Sequence, residues 1–328
     1  MNLLSGSNEQ VICTASNLLK SGDVVAIPTE TVYGLAGNIS LDHSIRKIYE
    51  LKSRPVDHPL IIHINSMQQL YDCSINVPSY VETLAKVFWP GPLTFILYKS
   101  DKVSNLVTGG HNTVAIRMPN HRLTLDLIKA VGHPLAAPSA NKFGQVSPTC
   151  SEHVIEEFDG LINVIDGGEC EIGIESTIID ATAADSYKIL RPGSITKFDL
   201  DLALKNHIGS FNLISQTPPV SKIRSPGGFA RHYSPNKQLI SFNNFAELVN
   251  LMDNYKSIYI IHYSDLVIDC NHISYKMAAS PAKFAKHLYS ALRLGDKSSS
   301  QVIAIESPPN EIKWYSILDR IGKAISTA

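Results

Sequence analysis

Four clusters of hydroxyl, glycine and cationic residues lie at the ends of predicted strands in the first two-thirds of the chain. The first cluster is Pro28–Leu35 (PTETVYGL), which directly follows a short apolar run. Thr29 and Thr31 would present hydroxyl groups at the edge of a sheet, where ligands bind in open α/β folds. A turn capped by a threonine would show the same residues, so this segment alone leaves both interpretations open.

The second cluster brings two cations and two imidazoles close together in the sequence. Lys52 and Arg54 lie at the end of a predicted helix, His58 precedes the next strand, and His63 lies in that strand. Such a set would suit a phosphate or a carboxylate, which arginine binds in a bidentate manner. Two structural alternatives stay open. Cations also complement the dipole of a helix C-terminus, and a lone histidine in an apolar strand is more often a core residue.

The third cluster combines a buried cation with a polar loop. Arg117 ends an apolar strand and needs a counter-charge, because an unpaired buried charge is costly. A bound carboxylate would supply that counter-charge. Ser139 and Asn141 follow the next predicted strand, and the backbone N–H groups of this loop would suit an anion-binding nest. A serine/asparagine turn with no ligand is the alternative.

The fourth cluster contains Ser176 and Thr177, which begin another apolar strand, and Arg191, which ends the one after it. Each of these residues could have a purely structural role. The occurrence of all four clusters in this order is much harder to explain by structure alone, and it favours a ligand site.

The elements that must position these clusters alternate between short apolar runs and amphipathic helical patterns. This alternation predicts an α/β fold with a mixed or parallel sheet and helices on its faces. Residues 207–235 are polar and broken by prolines and glycines, and this length suggests a functional loop. We therefore predict a catalytic domain over 1–206, a linker or active-site loop over 207–235 and a small α/β domain over 236–328.

Composition narrows the class of protein further. Charged residues make up 18% of the chain, below the usual ~25%, which argues against a disordered protein. The five cysteines are widely spaced without a C-x-x-C pair, so neither a zinc ribbon nor a disulfide framework is expected. Signal-peptide and membrane-span patterns are absent, which predicts a soluble, cytoplasmic protein. P-loop, dinucleotide-binding, zinc-protease and nucleophile-elbow motifs are also absent.

The clusters together resemble a known family, the two-domain L-threonylcarbamoyladenylate synthases, which join a YrdC-like catalytic domain to a Rossmann-like domain. The resemblance is collinear over roughly residues 8–235. It rests on PTETVYGL (28–35), KSRP…HPL (52–60), FWPGPLT (88–94), RMP (117–119), PSANKFGQVSPT (138–149), GIESTI (173–178), LRPG (190–193) and SPGGFARHYSP (225–235). It implies a twisted mixed sheet with flanking helices, followed by a smaller C-terminal Rossmann-like α/β domain.

This resemblance implies a nucleotidyltransferase that makes threonylcarbamoyl-AMP and pyrophosphate from L-threonine, bicarbonate and ATP. The product would supply N6-threonylcarbamoyladenosine in tRNA through the downstream threonylcarbamoyl-transferase machinery. Because the substrates provide the nucleophiles, no catalytic nucleophile is expected from the protein, which positions groups and stabilises charge. Mg²⁺ is expected to be held mainly by the ATP phosphates.

The resemblance also implies a role for each matching residue. The L-threonine site would contain Thr31, His63, Arg117 and Ser176, with Ala137 contributing a backbone contact and Arg117 taking the carboxylate. The ATP site would contain Lys52, Arg54, His58, Thr113, Ser139, Asn141, Ser147, Arg191 and Tyr233. Lys52 and Arg54 would stabilise charge, and Tyr233 would close over the nucleotide. The sequence departs from the family at two of these positions. The family commonly has glycine where Ser53 stands, and serine replaces it without strain if the φ of Ser53 is negative. It commonly has asparagine where His58 stands.

Three rival functions fit the sequence less well. A carbamoyltransferase of hydrogenase maturation shares the YrdC-like domain but carries paired-cysteine zinc fingers, which this cysteine pattern excludes. A non-catalytic RNA-binding protein would keep basic residues but would not need Thr31, Arg117 and Ser176 together. A pentulose-phosphate enzyme should show an acidic metal-binding cluster, which the motifs lack.

The net charge of −1 conceals two halves of opposite sign. Residues 1–205 carry 16 basic and 22 acidic side chains, whereas residues 206–328 carry 13 and 8. We expect attraction between the halves to help them close on each other, although salt would screen it. A basic second half would also suit direct contact with tRNA, but this excess of five charges is weak support. The cationic site residues must therefore form a positive pocket within an acidic domain.

Overall fold

The computed structural model describes residues 3–205 and 232–325 as two packed α/β domains. The predicted fold class is confirmed. Most of the predicted linker, 207–231, lies outside the described residues, so the proposed boundaries at 206 and 235 stay predictions. No helix in the described ranges is long and apolar enough to cross a membrane.

Strands and helices of the first domain follow the alternation of the sequence. The strands are β1 (Leu3–Leu4), β2 (Val25–Ile27), β3 (Gly34–Asn38), β4 (Ile61–His63), β5 (Ser74–Ile75), β6 (Leu93–Lys99), β7 (Thr113–Arg117), β8 (Leu135–Ala136), β9 (Asn163–Ile165), β10 (Thr177–Asp180) and β11 (Lys188–Arg191). The helices are α1 (Asn8–Lys20), α2 (Asp42–Lys52), α3 (Met67–Cys73), α4 (Ser79–Phe88), α5 (Asn105–Thr108), α6 (Arg122–Val131), α7 (Ser151–Glu157) and α8 (Lys197–Leu204).

These strands form one mixed sheet in the order β1-β9-β2-β3-β8-β4-β7-β6-β10-β11, with β5 paired to β6. β4 runs parallel to β7, and β6 runs parallel to β10, whereas β6 and β7 are antiparallel. Successive side chains of a strand point to opposite faces. Accordingly Ala26 joins the larger apolar cluster of this domain, while Val25 and Ile27 join the cluster beneath α1 and α6. Helices therefore cover both faces, and the site residues are left at the strand ends.

The second domain contains a four-stranded parallel sheet in the order β12-β15-β13-β14. Its elements are β12 (Leu239–Phe242), α9 (Phe245–Asn254), β13 (Ile258–His262), β14 (Ile273–Lys276), α10 (Pro281–Lys297), β15 (Val302–Glu306), a 3₁₀ turn (Ile312–Trp314) and α11 (Tyr315–Ala324). Leu248 of α9 packs on one face of the sheet. Leu288 of α10 and Ile317 of α11 pack on the other face, which is the face turned to the first domain.

The two domains share an apolar core and a set of ion pairs. Val32, Val146 and Ile174 of the first domain belong to the same buried cluster as the side chains of α10 and α11. Gly173 has a φ of +78°, and a Cβ there would lie 2.4 Å from the Lys286 carbonyl oxygen, so this contact requires glycine.

Four ion pairs between the described parts of the domains all place the acid on the first domain and the base on the second. They are Glu169–Lys286, Glu157–Arg293, Glu156–Lys297 and Glu175–Arg320. The opposite charges of the two halves, noted in the sequence, therefore meet at the interface.

Candidate active site

A buried pocket lies where the ends of the first-domain strands meet the second domain. It encloses about 50 Å³. The predicted site residues that line it are Thr31, Arg54, His63, Arg117, Ala137, Ser139, Arg191 and Tyr233. The predicted residues outside its lining are Lys52, His58, Thr113, Asn141, Ser147 and Ser176. The fold thus gathers residues that are more than 200 positions apart in the sequence.

Arg117 is held in place at one wall of the pocket by three groups of the first domain. Its guanidinium lies 2.6 Å from the Glu30 carboxylate and donates hydrogen bonds to the Thr31 hydroxyl at 2.8 Å and the Gly91 carbonyl at 3.2 Å. Arg117 and Glu30 are both buried. Glu30 of the protein therefore supplies a counter-charge to Arg117, a role for which the sequence had suggested the carboxylate of a bound ligand. Sequence analysis missed Glu30, although it lies between the two threonines of the first cluster.

His63 and Thr31 complete this wall. Burial, followed by the nearby Arg117 charge, lowers the pKa of His63 to about 3, so its imidazole is neutral at physiological pH. The hydroxyls of Thr29 and Thr31 lie 2.9 Å apart, and Thr29 also donates to the Val32 carbonyl. This wall therefore presents one guanidinium, one neutral imidazole and one hydroxyl group to the pocket.

Lys52 braces a loop instead of lining the pocket. It ends α2, is buried, and its ammonium donates to the carbonyls of Ser139 and Asn141. Burial and the adjacent Arg54 hold the pKa of Lys52 well below its usual range. In this structure the Lys52 ammonium is therefore not directed at the pocket lining, and its contact with a phosphate stays a prediction.

Arg54 does line the pocket, and backbone carbonyls orient it. Its guanidinium donates to the carbonyls of His58 and Pro59 and lies over the Phe143 ring. Burial lowers the pKa of Arg54 to about 10, which leaves it charged at neutral pH. The intervening Ser53 has a φ of +50°, in the left-handed region. The condition of a negative φ, under which serine would replace the family's glycine without strain, is therefore not met, because Ser53 caps α2 and turns the chain between the two cations.

The loop after β8 does not form the expected nest of free N–H groups. The N–H groups of Ala140 and Asn141 donate to the carbonyls of Tyr33 and Ser139, at 2.8 and 3.0 Å. The Asn141 amide donates to the carbonyls of Lys142 and Gln145. These N–H groups already have partners, and the loop residues that line the pocket are Ala137, Pro138 and Ser139.

His58 and Thr113, which the sequence placed in the ATP site, do not line the pocket. His58 is buried, with its ring 5.1 Å from that of Phe143. Thr113 begins β7, where it pairs with Tyr98 of β6. Neither residue lines the enclosed space, so their predicted contacts with ATP remain untested predictions.

The opposite wall of the pocket contains Glu175 and Arg191. Arg191 donates to the Ser176 carbonyl at 3.0 Å and to the Ser176 hydroxyl at 3.1 Å. The Glu175 carboxylate accepts hydrogen bonds from Ser147 at 2.7 Å, from Tyr289 at 2.9 Å and from Arg320 at 2.8 Å. Tyr289 and Arg320 belong to the second domain, in which sequence analysis found no functional residue.

The pKa of Glu175 reflects this set of donors. Burial by itself would raise the pKa, but the charges of Arg320 and Arg191 and the hydrogen bonds from Ser147 and Arg320 lower it to about 2. Glu175 is therefore ionised at physiological pH. The only sequence signal for its role is its place beside Ser176 in the GIESTI segment.

Tyr233 forms the roof of the pocket. Its side chain is 1% exposed and lies between the Arg320 guanidinium, 5.1 Å away, and the Tyr289 ring, 5.8 Å away. Its φ is +63°, an uncommon conformation for a non-glycine residue that often marks functional sites. Its hydroxyl has no hydrogen-bond partner within residues 3–205 and 232–325. The preceding His232 packs edge-on against the Tyr233 ring.

Buried charges around the pocket are mostly positive. The cations are Lys52, Arg54, Arg117, Arg191 and Arg320, and the carboxylates are Glu30 and Glu175. The described residues contain no group of three or more His, Cys, Asp or Glu side chains that could hold a metal ion. An excess of buried cations is stabilised when an anion enters. Fold and pocket therefore define a two-domain α/β protein with a pocket surrounded mainly by basic side chains at the junction of its domains.

Comparisons with known proteins agree with this class. The family model described as "Telomere recombination" matches residues 17–193, and the model described as "Threonylcarbamoyl-AMP synthase, C-terminal domain" matches residues 195–326. The chain belongs to the family of two-domain threonylcarbamoyl-AMP synthases. This confirms the family resemblance found in the sequence.

Similar proteins match over nearly the whole chain. The threonylcarbamoyl-AMP synthase of Pyrococcus abyssi is 36% identical over 99% of this chain and 96% of its own length. The threonylcarbamoyl-AMP synthase of Bacillus subtilis is 39% identical over 97% of this chain and 94% of its own length. The crystal structure of P. abyssi Sua5 complexed with L-threonine has a TM-score of 0.85 at 35% identity and covers 98% of this chain and 96% of that one.

Proposed function

We propose that this protein is a nucleotidyltransferase that makes threonylcarbamoyl-AMP and pyrophosphate from L-threonine, bicarbonate and ATP. Full-length relatives carry this activity in their names. The observation that carries the proposal is that one pocket is lined by Thr31, His63 and Arg117 together with Arg54, Ser139, Arg191 and Tyr233. Such a pocket can hold an amino acid beside a polyphosphate.

L-threonine would bind at the wall that contains Arg117. The guanidinium is oriented by Gly91, Thr31 and Glu30, and the substrate carboxylate would bind the remaining N–H groups of its two terminal nitrogens. The neutral His63 can accept a hydrogen bond from the threonine amine or hydroxyl without repelling a cation. Support comes from the related P. abyssi protein, whose structure was solved with L-threonine.

Mg²⁺-bound ATP would occupy the opposite side, near Arg54, Ser139 and Arg191. The guanidinium groups of Arg54 and Arg191 would neutralise phosphate charge. The Tyr233 hydroxyl, which has no hydrogen-bond partner among residues 3–205 and 232–325, would donate to the nucleotide. We propose that the metal enters with the nucleotide as part of the substrate. Activity that persists after the magnesium is removed with a chelator would contradict this.

The reaction needs no nucleophile from the protein. Bicarbonate loses hydroxide to give carbon dioxide, and the neutral amine of threonine adds to it, so that the N–C bond that forms gives a carbamate. The proton that the nitrogen loses combines with the hydroxide as water. A carbamate oxygen then attacks the α-phosphorus of ATP, and the bond to the β-phosphate oxygen breaks to release pyrophosphate. Positioning of the two substrates and stabilisation of the leaving group's charge by Arg54 and Arg191 are the contributions of this chain.

Substrate entry requires the roof to move. The enclosed space of about 50 Å³ is far below the ~300–1,000 Å³ of typical small-molecule sites. We infer that the described structure is a closed form, in which Tyr233 and His232 cover the nucleotide side of the pocket and must move outward to admit ATP. The left-handed backbone at Tyr233 is consistent with a segment that exchanges between two positions.

The test is release of pyrophosphate by the purified protein. It should require ATP, L-threonine and bicarbonate together, and mass spectrometry should detect threonylcarbamoyl-AMP. Release that is unchanged when threonine is omitted would contradict the proposal. We further propose that the protein acts in the cytoplasm and passes its labile product to the tRNA threonylcarbamoyl-transferase machinery. Transfer to tRNA should therefore need those partners as well.

A further inference from the structure

Two side chains of the second domain reach the wall of the first-domain pocket. The guanidinium of Arg320, at 0% exposure, donates to Glu175 Oε2 at 2.8 Å, and its other edge bonds Asp319. The Tyr289 hydroxyl donates to the same carboxylate oxygen at 2.9 Å. Of the donors to the Glu175 carboxylate among the described residues, only Ser147 belongs to the first domain. Without the second domain, a buried carboxylate would lose most of its partners.

The same two side chains also support the roof of the pocket. The Arg320 guanidinium lies 5.1 Å from the centre of the Tyr233 ring, within cation–π range. The Tyr289 ring stacks on Tyr233 at 5.8 Å. Arg320 and Tyr289 therefore contact one wall and the roof at once, while neither lines the pocket itself.

Glu175 connects Arg320 and Tyr289 to Arg191, the cation on the same wall of the pocket. It immediately precedes Ser176, whose carbonyl and hydroxyl orient Arg191. With Arg320 absent, Arg191 becomes the nearest guanidinium able to neutralise Glu175. Movement toward Glu175 would take Arg191 away from Ser176 and change the position of its guanidinium in the pocket.

We propose that Arg320 and Tyr289 are positioning residues for the nucleotide side of the pocket, acting through Glu175 and Tyr233. The site of the first domain is therefore incomplete until the second domain docks. This inference rests on the proposed function, because turnover is one of its readouts. The wall in which Glu30 orients Arg117 lies wholly within the first domain and should depend on Arg320 much less than the nucleotide side does. Of the residues predicted for threonine, Ser176 is the one that adjoins Glu175.

The experiment compares steady-state kinetics of the full-length protein with Arg320→Met. We expect kcat to fall at least tenfold and KM for ATP to rise about tenfold, while KM for threonine stays within twofold. A merely structural role would lower the active fraction and so reduce kcat without separating the two KM values. Unchanged kinetics, or equal changes in both KM values, would overturn the proposal.

Two further variants keep the test valid if Arg320→Met folds poorly. Arg320→Lys retains a cation and should bring KM for ATP to within about threefold of wild type. Glu175→Gln combined with Arg320→Met removes both charges and should be more active than Arg320→Met alone, as a coupled pair requires. A double variant no better than the single one would count against coupling through Glu175. The control is Lys297→Met, which removes an exposed interdomain ion pair and should stay within twofold of wild type.

Hydrogen exchange separates this inference from the proposed function. Arg320→Met should lower amide protection at 174–178 and 232–235 at least tenfold, and should leave β4 unchanged. If the wild-type protein released no pyrophosphate, the proposed function would fail while this measurement still tested the coupling. Equal protection in the variant and the wild type would overturn the inference.

Discussion

The two buried carboxylates of the pocket obtain their partners in different ways. Glu30 pairs with Arg117, and both residues belong to the first domain. Glu175 instead depends on Tyr289 and Arg320 of the second domain. One wall is thus complete when the first domain folds, whereas the other wall needs the two domains to dock. The difference suggests that binding of threonine and use of the nucleotide can be separated by mutation.

The largest expected effect breaks the wall that lies within one domain. Arg117→Ala removes the proposed carboxylate contact and leaves Glu30 buried without its cation, a change that costs about 3 kcal/mol or more. We expect kcat/KM for threonine to fall about 100-fold or more, and the apparent Kd for threonine to rise strongly in calorimetry. Wild-type affinity for threonine would remove Arg117 from this role.

A second prediction concerns how the free energy of unfolding depends on pH. The pKa values of His63 and His232 are lowered to about 3, and that of His153 to about 4, by burial first and then by nearby cations. The folded state then binds fewer protons than the unfolded state below pH 6.5. Stability should be full above pH 6.5 and decrease as pH falls below it, by at most about 1.4 kcal/mol per histidine per pH unit.

Glu175 should contribute its pH dependence in a lower range. Its folded pKa is about 2, against an ordinary value of 4.5, so its stabilising contribution is present above pH 4.5 and lost as pH falls toward 2. Urea unfolding at pH 7.5, 5.5 and 4 measures both ranges. His63→Gln should reduce the loss of stability between pH 7.5 and 5.5. Equal free energies of unfolding at pH 7.5 and 5.5 would contradict the histidine assignment.

A smaller effect is expected at the roof. Tyr233→Phe keeps the ring on Arg320 and Tyr289 but removes the hydroxyl proposed to contact the nucleotide. Loss of one such hydrogen bond costs about 1 kcal/mol, so kcat/KM for ATP should fall roughly five- to tenfold with little change in thermal stability. Tyr233→Leu also removes the ring and should lose both activity and stability. Full activity of Tyr233→Phe would show that the hydroxyl is not used.

The smallest effect is expected from the exposed ion pairs between the domains. Lys286→Met and Lys297→Met remove pairs with Glu169 and Glu156 that are largely open to solvent. Such pairs contribute about 0–1 kcal/mol each and are screened by salt. The free energy of unfolding should change by less than about 1 kcal/mol, and activity should stay near wild type. A loss as large as that of Arg320→Met would mean that general electrostatic attraction, not the Glu175 contact, holds the domains together.

Much of the fold could be predicted because helix and strand periodicities are local. α2 ends at Lys52, where the sequence predicted the end of a helix, and β7 contains the predicted apolar strand that ends at Arg117. The predicted anion-binding nest around Asn141, in contrast, is not formed. Its N–H groups found partners in neighbouring segments, and no local pattern announces such partners.

The sequence by itself determined the α/β class, the motifs that identify the family and the opposite charges of the two halves. These features follow from residue type, order and spacing, which the chain carries before it folds. Tertiary structure decided that Glu30 neutralises Arg117, that Lys52 braces a loop and that Arg320 reaches Glu175 from 145 positions away. A buried charge takes the partner that shares its low-dielectric space, and only packing brings residues from distant elements into that space.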